Sequence, residues 1–143
     1  MMKLNNKGQS LVLFIIMIPV MLGIMALVID VGNAMSLKND IDNVLEYVLD
    51  YGLETGEVFF TNSDKEYFNE DLINWKDDLE ILINYNLKDS TNDIVLEDKV
   101  IIITSNKYVE GIFSNIFNID GFKIESKYKG YLDSSKKVIK KIK

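Results

Sequence analysis

The chain has 143 residues, 48% of them apolar, and a formal net charge of −6. It contains no cysteine and no histidine, and its sixteen basic residues are all lysine. That composition excludes a disulfide framework, a thiol nucleophile, Cys- or His-ligated zinc and an imidazole base, and it leaves no guanidinium to clamp phosphate or DNA.

The first element in chain order is an uncharged run from Leu11 to Ile29, apolar except for Gly23 and Pro19. As a helix its 19 residues extend about 28 Å, close to the hydrocarbon thickness of a bilayer. It has no polar stripe of the kind a soluble core helix shows. Lys3 and Lys7 precede it and acids dominate the residues after it, so the positive-inside rule puts the N-terminus in the cytoplasm and the remainder outside. A cleaved secretory signal and a plain, unprocessed signal anchor are the competing readings; Gly32-Asn33-Ala34 is the nearest and a poor signal-peptidase site. Pro19 removes one backbone donor in mid-span, and Gly23 offers a place for close helix–helix approach. Asp30 either marks the membrane interface or makes a polar contact with a partner helix, since charge at membrane depth is costly unless paired.

Lys7-Gly8-Gln9-Ser10-Leu11-Val12-Leu13-Phe14, then Pro19, then Val28-Ile29-Asp30-Val31-Gly32-Asn33 resembles the N-terminus of TadE/TadG-like proteins, minor pilins or pseudopilins of Flp (tight adherence) pilus systems. Gly8, Pro19, Asp30 and Gly32 carry the resemblance, which extends over residues 7–50. It implies a leader, residues 1–8, removed by a prepilin peptidase between Gly8 and Gln9. It also implies a stem helix that anchors the protein in the inner membrane over 9–30, continues outside over 31–55, and packs on other pilins or pseudopilins through Leu11, Phe14, Pro19, Gly23, Asp30 and Gly32. The fold it implies is α+β, a long N-terminal hydrophobic helix as a pilin-like stem carrying a small α+β head over 56–143. The protein is then structural, without a cofactor, with other pilus components and the peptidase as partners. Many pilins and TadE-type members carry glutamate at the fifth residue after cleavage; Leu13 stands there, as in the TadG-like branch.

After the apolar run, Leu37, Ile41, Val44, Leu45, Val48 and Tyr51 recur at helical spacing, with Asp40, Asp42, Asn43, Glu46 and Asp50 on the other face. This predicts one helix from Gln9 to Leu53, ended by Gly52 and Gly56. Ser63-Asp64-Lys65-Glu66 reads as a capping box opening a second helix, whose stripe is Phe68, Leu72, Trp75, Leu79 and Leu82. Val100–Thr104 predicts a central strand, with Ile94–Leu96 as its extension or a hairpin partner across Glu97-Asp98. Val109, Ile112, Phe113, Ile116 and Phe117 fit a short amphipathic helix. Asp120-Gly121 signals a turn into a strand that buries Phe122, Ile124, Ser126 and Tyr128 and wets Lys123, Glu125, Lys127 and Lys129.

The lysine-rich tail, Lys136–Lys143, reads as a frayed, solvated end; an anionic membrane or an acidic face of another copy are its alternatives. Charge is segregated on the larger scale too, with 18 acids against 4 lysines over 30–98 and 10 lysines against 4 acids over 99–143. The mainly acidic soluble part argues against nucleic acid as a partner. No nucleophile elbow, phosphate-binding glycine loop, H-E-x-x-H or calcium loop is present, and Asp77 and Asp78 diverge on a helix. These readings point away from an enzyme and from a small-molecule substrate. An unprocessed single-pass protein that displays its acidic head to an envelope partner is the rival expectation.

Overall fold

The computed structural model describes residues 6–61, 69–114 and 118–142. The expected capping box at Ser63–Glu66 lies outside the described residues, as do Phe68, Ile116 and Phe117. One unbroken helix, α1 (Asn6–Thr55), takes up the first third of the chain and runs through Pro19. A short helix, α2 (Glu57–Thr61), and a longer one, α3 (Asn69–Asn86), follow it. Four strands complete the fold: β1 (Thr91–Glu97), β2 (Val100–Glu110), β3 (Gly121–Asp133) and β4 (Lys136–Ile142). They form an antiparallel meander in the order β1-β2-β3-β4. The architecture is α+β, as the sequence predicts.

Period-two alternation decides which face of the sheet is buried. Ile101, Ile103 and Ser105 of β2 point inward, and so do Ile124, Ser126 and Tyr128 of β3, with Ile103 paired to Tyr128 and Ser105 to Ser126. The distal half of α1 lies on that face through Ile41, Leu45, Val48, Leu49 and Leu53, all sealed from solvent. Tyr51, expected on this stripe, points outward, because the buried arc is the narrower one made by Leu45, Val48, Leu49, Gly52 and Leu53. A Cβ on Gly130 of β3 would meet the Leu53 and Leu49 side chains at 3.1 and 3.2 Å, so a bare strand backbone is what admits the stem so closely.

Trp75, Leu79, Ile83 and Leu87 fix α3 and its exit to the same core. Trp75 Nε1 donates to Thr55 Oγ1 at 3.3 Å, and Phe59 and Phe60 lie 5.4 and 6.0 Å from its ring centre, closing the end of α1.

Two sequence expectations are corrected. The short helix around Val109–Phe113 does not form over its described part. Val109 and Glu110 continue β2, paired with Phe122 and Gly121, and the chain bends at Ile112 and Phe113, with 3₁₀ geometry only at Ser114 among the described residues of this stretch. The tail is not frayed: Lys136–Ile142 is β4, paired to β3 from Asp133↔Lys136 to Lys127↔Ile142. Ser134 and Ser135 both hold positive φ in the connecting two-residue hairpin, as Asp98 and Lys99 do between β1 and β2.

Candidate anchoring and assembly surface

The proximal half of α1 is bare. From Leu11 to Leu22 the helix is exposed all round, and no residue of its most apolar window is buried. It is long and apolar enough to cross a membrane. Because a helix pairs its backbone donors and acceptors internally, this surface presents only apolar side chains to its surroundings, which suits hydrocarbon. Gly8 and Gly32 sit on the helix with open space around the position a Cβ would take, so neither is required by packing within this chain.

The bare segment ends at Asp30, which is only 3% exposed. Its Oδ1 accepts the backbone N–H of Ile112 at 3.2 Å. Its Oδ2 accepts those of Phe113 and Ser114 at 2.8 and 2.6 Å. Three successive amides of the 111–114 turn thus converge on one carboxylate, and charge-assisted bonds of this kind are the strong ones. The polar partner of Asp30 is therefore a turn of its own head, in place of a partner helix. Gly111 permits the approach: a Cβ there would fall 1.6 Å from Ser114 Oγ and 3.3 Å from Asp30 Oδ2. Two backbone bonds close the loop, Ile119 N donating to Ser114 O and Gly111 N to Asp120 O, both at 3.1 Å.

Below Asp30, an open groove of about 600 Å³ runs along the stem. Pro19, Leu22, Gly23, Met25, Ala26 and Ile29 form its floor, and Phe113 from the turn forms its upper wall. Of the residues expected to mediate assembly, Pro19 and Gly23 are brought together here, Asp30 is withdrawn into the head contact, and Leu11, Phe14 and Gly32 stay exposed.

Residues 8–46 match the family model Tad, described as Putative Flp pilus-assembly TadE/G-like. The matched segment opens on Gly8, contains Pro19, Asp30 and Gly32, and ends inside the buried part of the stem, as the resemblance to the TadE/TadG-like family implies. It associates the TadE/G-like segment with pilus assembly and with a membrane-anchoring N-terminal helix. Comparison with curated proteins and with solved structures gives no match. The TadE/G-like segment covers just over a quarter of the chain, and the head lies almost wholly outside it.

Acids of the distal stem are occupied by lysines of β4. Lys137 Nζ reaches Asp50 Oδ1 at 2.9 Å and Glu54 Oε2 at 3.2 Å. Lys141 pairs with Asp42, whose other oxygen accepts the Ser126 hydroxyl at 2.5 Å. Lys38 Nζ donates to Glu125 O at 2.9 Å. The charge segregation of the sequence is thus used within one molecule, stem against sheet. Asp50, then Glu54, pushes the Lys137 ammonium above its ordinary value. Burial, reinforced by Asp42 and Glu46, pushes the Tyr128 phenol up to about 12. Among the described residues, no group of three or more His, Cys, Asp and Glu side chains is arranged to hold a metal ion.

Sequence reasoning missed Gly111, Ser114, Lys137 and Lys141 as partners of the stem. The two serines of the Ser134-Ser135 hairpin were the available signal for β4, and they lack the glycine that usually marks such turns.

Proposed function

We propose that this chain is a minor pilin or pseudopilin-like structural component of a Flp/tight-adherence pilus or a related secretion apparatus. Its stem would cross the inner membrane over residues 9–30, with the N-terminus cytoplasmic and the remainder, 31–55 of the stem and the 56–143 head, extracytoplasmic. Residues 1–8 would be a leader that a prepilin peptidase removes between Gly8 and Gln9, and the groove at Pro19 and Gly23 would receive other stem helices.

The observation that carries this reading is one continuous 50-residue helix, of which residues 8–46 match the TadE/G-like family, and whose proximal part stays uncovered while its distal part packs into the core of a head. Such a helix can leave lipid for a bundle of like helices without refolding, because its own hydrogen bonds are already made. The role is mechanical, and no catalytic side chain is assigned.

Mass spectrometry of the protein extracted from membranes tests the processing step. In cells with an active prepilin peptidase the N-terminus is expected at Gln9, and an intact Met1 end sinks the cleavage claim. Leu13, at the position where many pilins carry glutamate, favours a second reading, an unprocessed single-pass protein that displays its head. Replacing Gly8 by a bulky residue separates the two. Retained leader shifts the mobility of a pilin and leaves the rival unchanged.

A further inference from the structure

We infer that the Ile112-Phe113 turn is a second membrane contact, inserted into the outer leaflet beside the stem and held at that depth by Asp30. The inference rests on the proposed membrane crossing of α1 and goes beyond it, because it gives the head a lipid-facing surface of its own.

Placement carries the argument. The turn is bonded to Asp30, the residue at which the uncharged run stops, so it lies at the level where hydrocarbon gives way to headgroups. Phe113 faces the span. It walls a groove whose other lining residues all belong to the apolar run, from Pro19 to Ile29. The groove that it helps to line runs from Pro19 to Ile29, so the ring faces a surface made of the span itself. Ile112 beside it is 70% exposed, and Phe113 and Ile119 are more than a third exposed. Single exposed apolar residues are ordinary on a soluble surface. Here they are gathered on a turn fixed against the end of a membrane span, where water is not the surrounding solvent.

The chemistry of the turn also names the occupant. Its nearest charged chain neighbours, Glu110 and Asp120, are acidic and exposed, so attraction to anionic headgroups is not what would seat it. Apolar burial is, and a zwitterionic bilayer suffices. The three backbone amides that would otherwise enter the interface without partners are already bonded to the carboxylate, which removes the main cost of placing a turn there.

Since the chain has no cysteine, single cysteines carrying a nitroxide label report depth without ambiguity. The full chain is placed in phosphatidylcholine vesicles with Ile112→Cys, and separately with Ile16→Cys in the span and Ile81→Cys on the exposed face of α3. Oxygen, which concentrates in lipid, and a water-soluble nickel chelate are the two relaxing agents. The expected result is that label 112 resembles label 16, relaxed by oxygen and sheltered from nickel, while label 81 shows the reverse. A label at 112 that behaves like the one at 81, with 16 still in lipid, overturns the lipid contact and leaves the anchor intact. A label at 16 open to nickel overturns the anchor itself, and the inference with it. Shelter of 112 from both agents, growing as the protein-to-lipid ratio rises, assigns the turn to a second stem helix and overturns lipid as the occupant. In the background Asp30→Ala, label 112 is expected to lose its shelter from nickel.

Discussion

The carboxylate of Asp30 accepts the backbone N–H of Ser114 at 2.6 Å, across 84 residues of chain. With the Ile112 and Phe113 amides on the same group, this contact joins the end of the bare stem to the β2–β3 connection. Bonds to a charged group are worth about 1.5–3 kcal/mol each when one partner is removed. Asp30→Ala is expected to lower head stability by roughly 2–4 kcal/mol. Asp30→Asn, which keeps one acceptor oxygen, should lose less. Urea unfolding followed by Trp75 fluorescence in detergent measures both, and equal stability of Asp30→Ala and wild type would contradict the latch.

Two glycines should respond in opposite directions. Gly111→Ala drives a methyl group into Ser114 and toward Asp30, and overpacking of this kind costs about 1–3 kcal/mol. Gly32→Ala meets nothing, and exchanging glycine for alanine in an exposed helix gains up to about 1 kcal/mol. Thermal unfolding of the two variants side by side is the check. If Gly32 matters in cells, its effect should appear in assembly and not in stability.

Alkaline pH should loosen the head through Tyr128. Its folded pKa is about 12 against an ordinary value of about 10, so the folded state holds the phenolic proton more tightly than the unfolded chain does. The stabilisation is fully present below pH ~10 and is lost as pH rises toward ~12. Lys137, raised by Asp50 and Glu54, acts with the same sign: its contribution holds below its unfolded pKa and fades as pH climbs through the folded one. Tyr128→Phe should flatten the stability profile over this window. In a tyrosinate absorbance titration of the native protein, one of the seven tyrosines should titrate late.

Asp42 should matter more than Asp50 or Glu54. It is mostly covered, binds Ser126 and Lys141, and faces Tyr128, whereas the Lys137 pairs are exposed on their acidic side and screened by salt. Asp42→Ala is expected to cost roughly 1–3 kcal/mol by stranding the buried Ser126 hydroxyl and its neighbours. Lys137→Met should cost less, and its loss should shrink further at high ionic strength. Guanidine-free urea titrations at low and high salt separate the two.

The parts legible in the sequence are those written in local periodicity. Leu11–Ile29 has no charge to interrupt it, Ile41, Leu45 and Val48 repeat at helical spacing, and Ile124, Ser126 and Tyr128 alternate cleanly with charged neighbours. Val109, Ile112 and Phe113 also fit a helical repeat, yet β3 claims the backbone of Val109 and Glu110, and Asp30 claims the next amides. The tail failed for a related reason. Lysines that look solvated in isolation meet Asp42, Asp50 and Glu54 once the sheet folds onto the stem. The most informative contact of the anchoring surface, Asp30 with the turn, links positions 82–84 residues apart and leaves no local trace.

Ile41, Leu45, Leu49 and Leu53 leave the ribosome long before the strands that cover them, because β2 begins at Val100. The stem's inner face is therefore made before α3 and the sheet that enclose it. Contacts so distant in sequence form slowly, so the stripe waits on elements made later for its cover. Whatever masks this stripe until β3 and β4 are made should therefore raise the yield of folded protein.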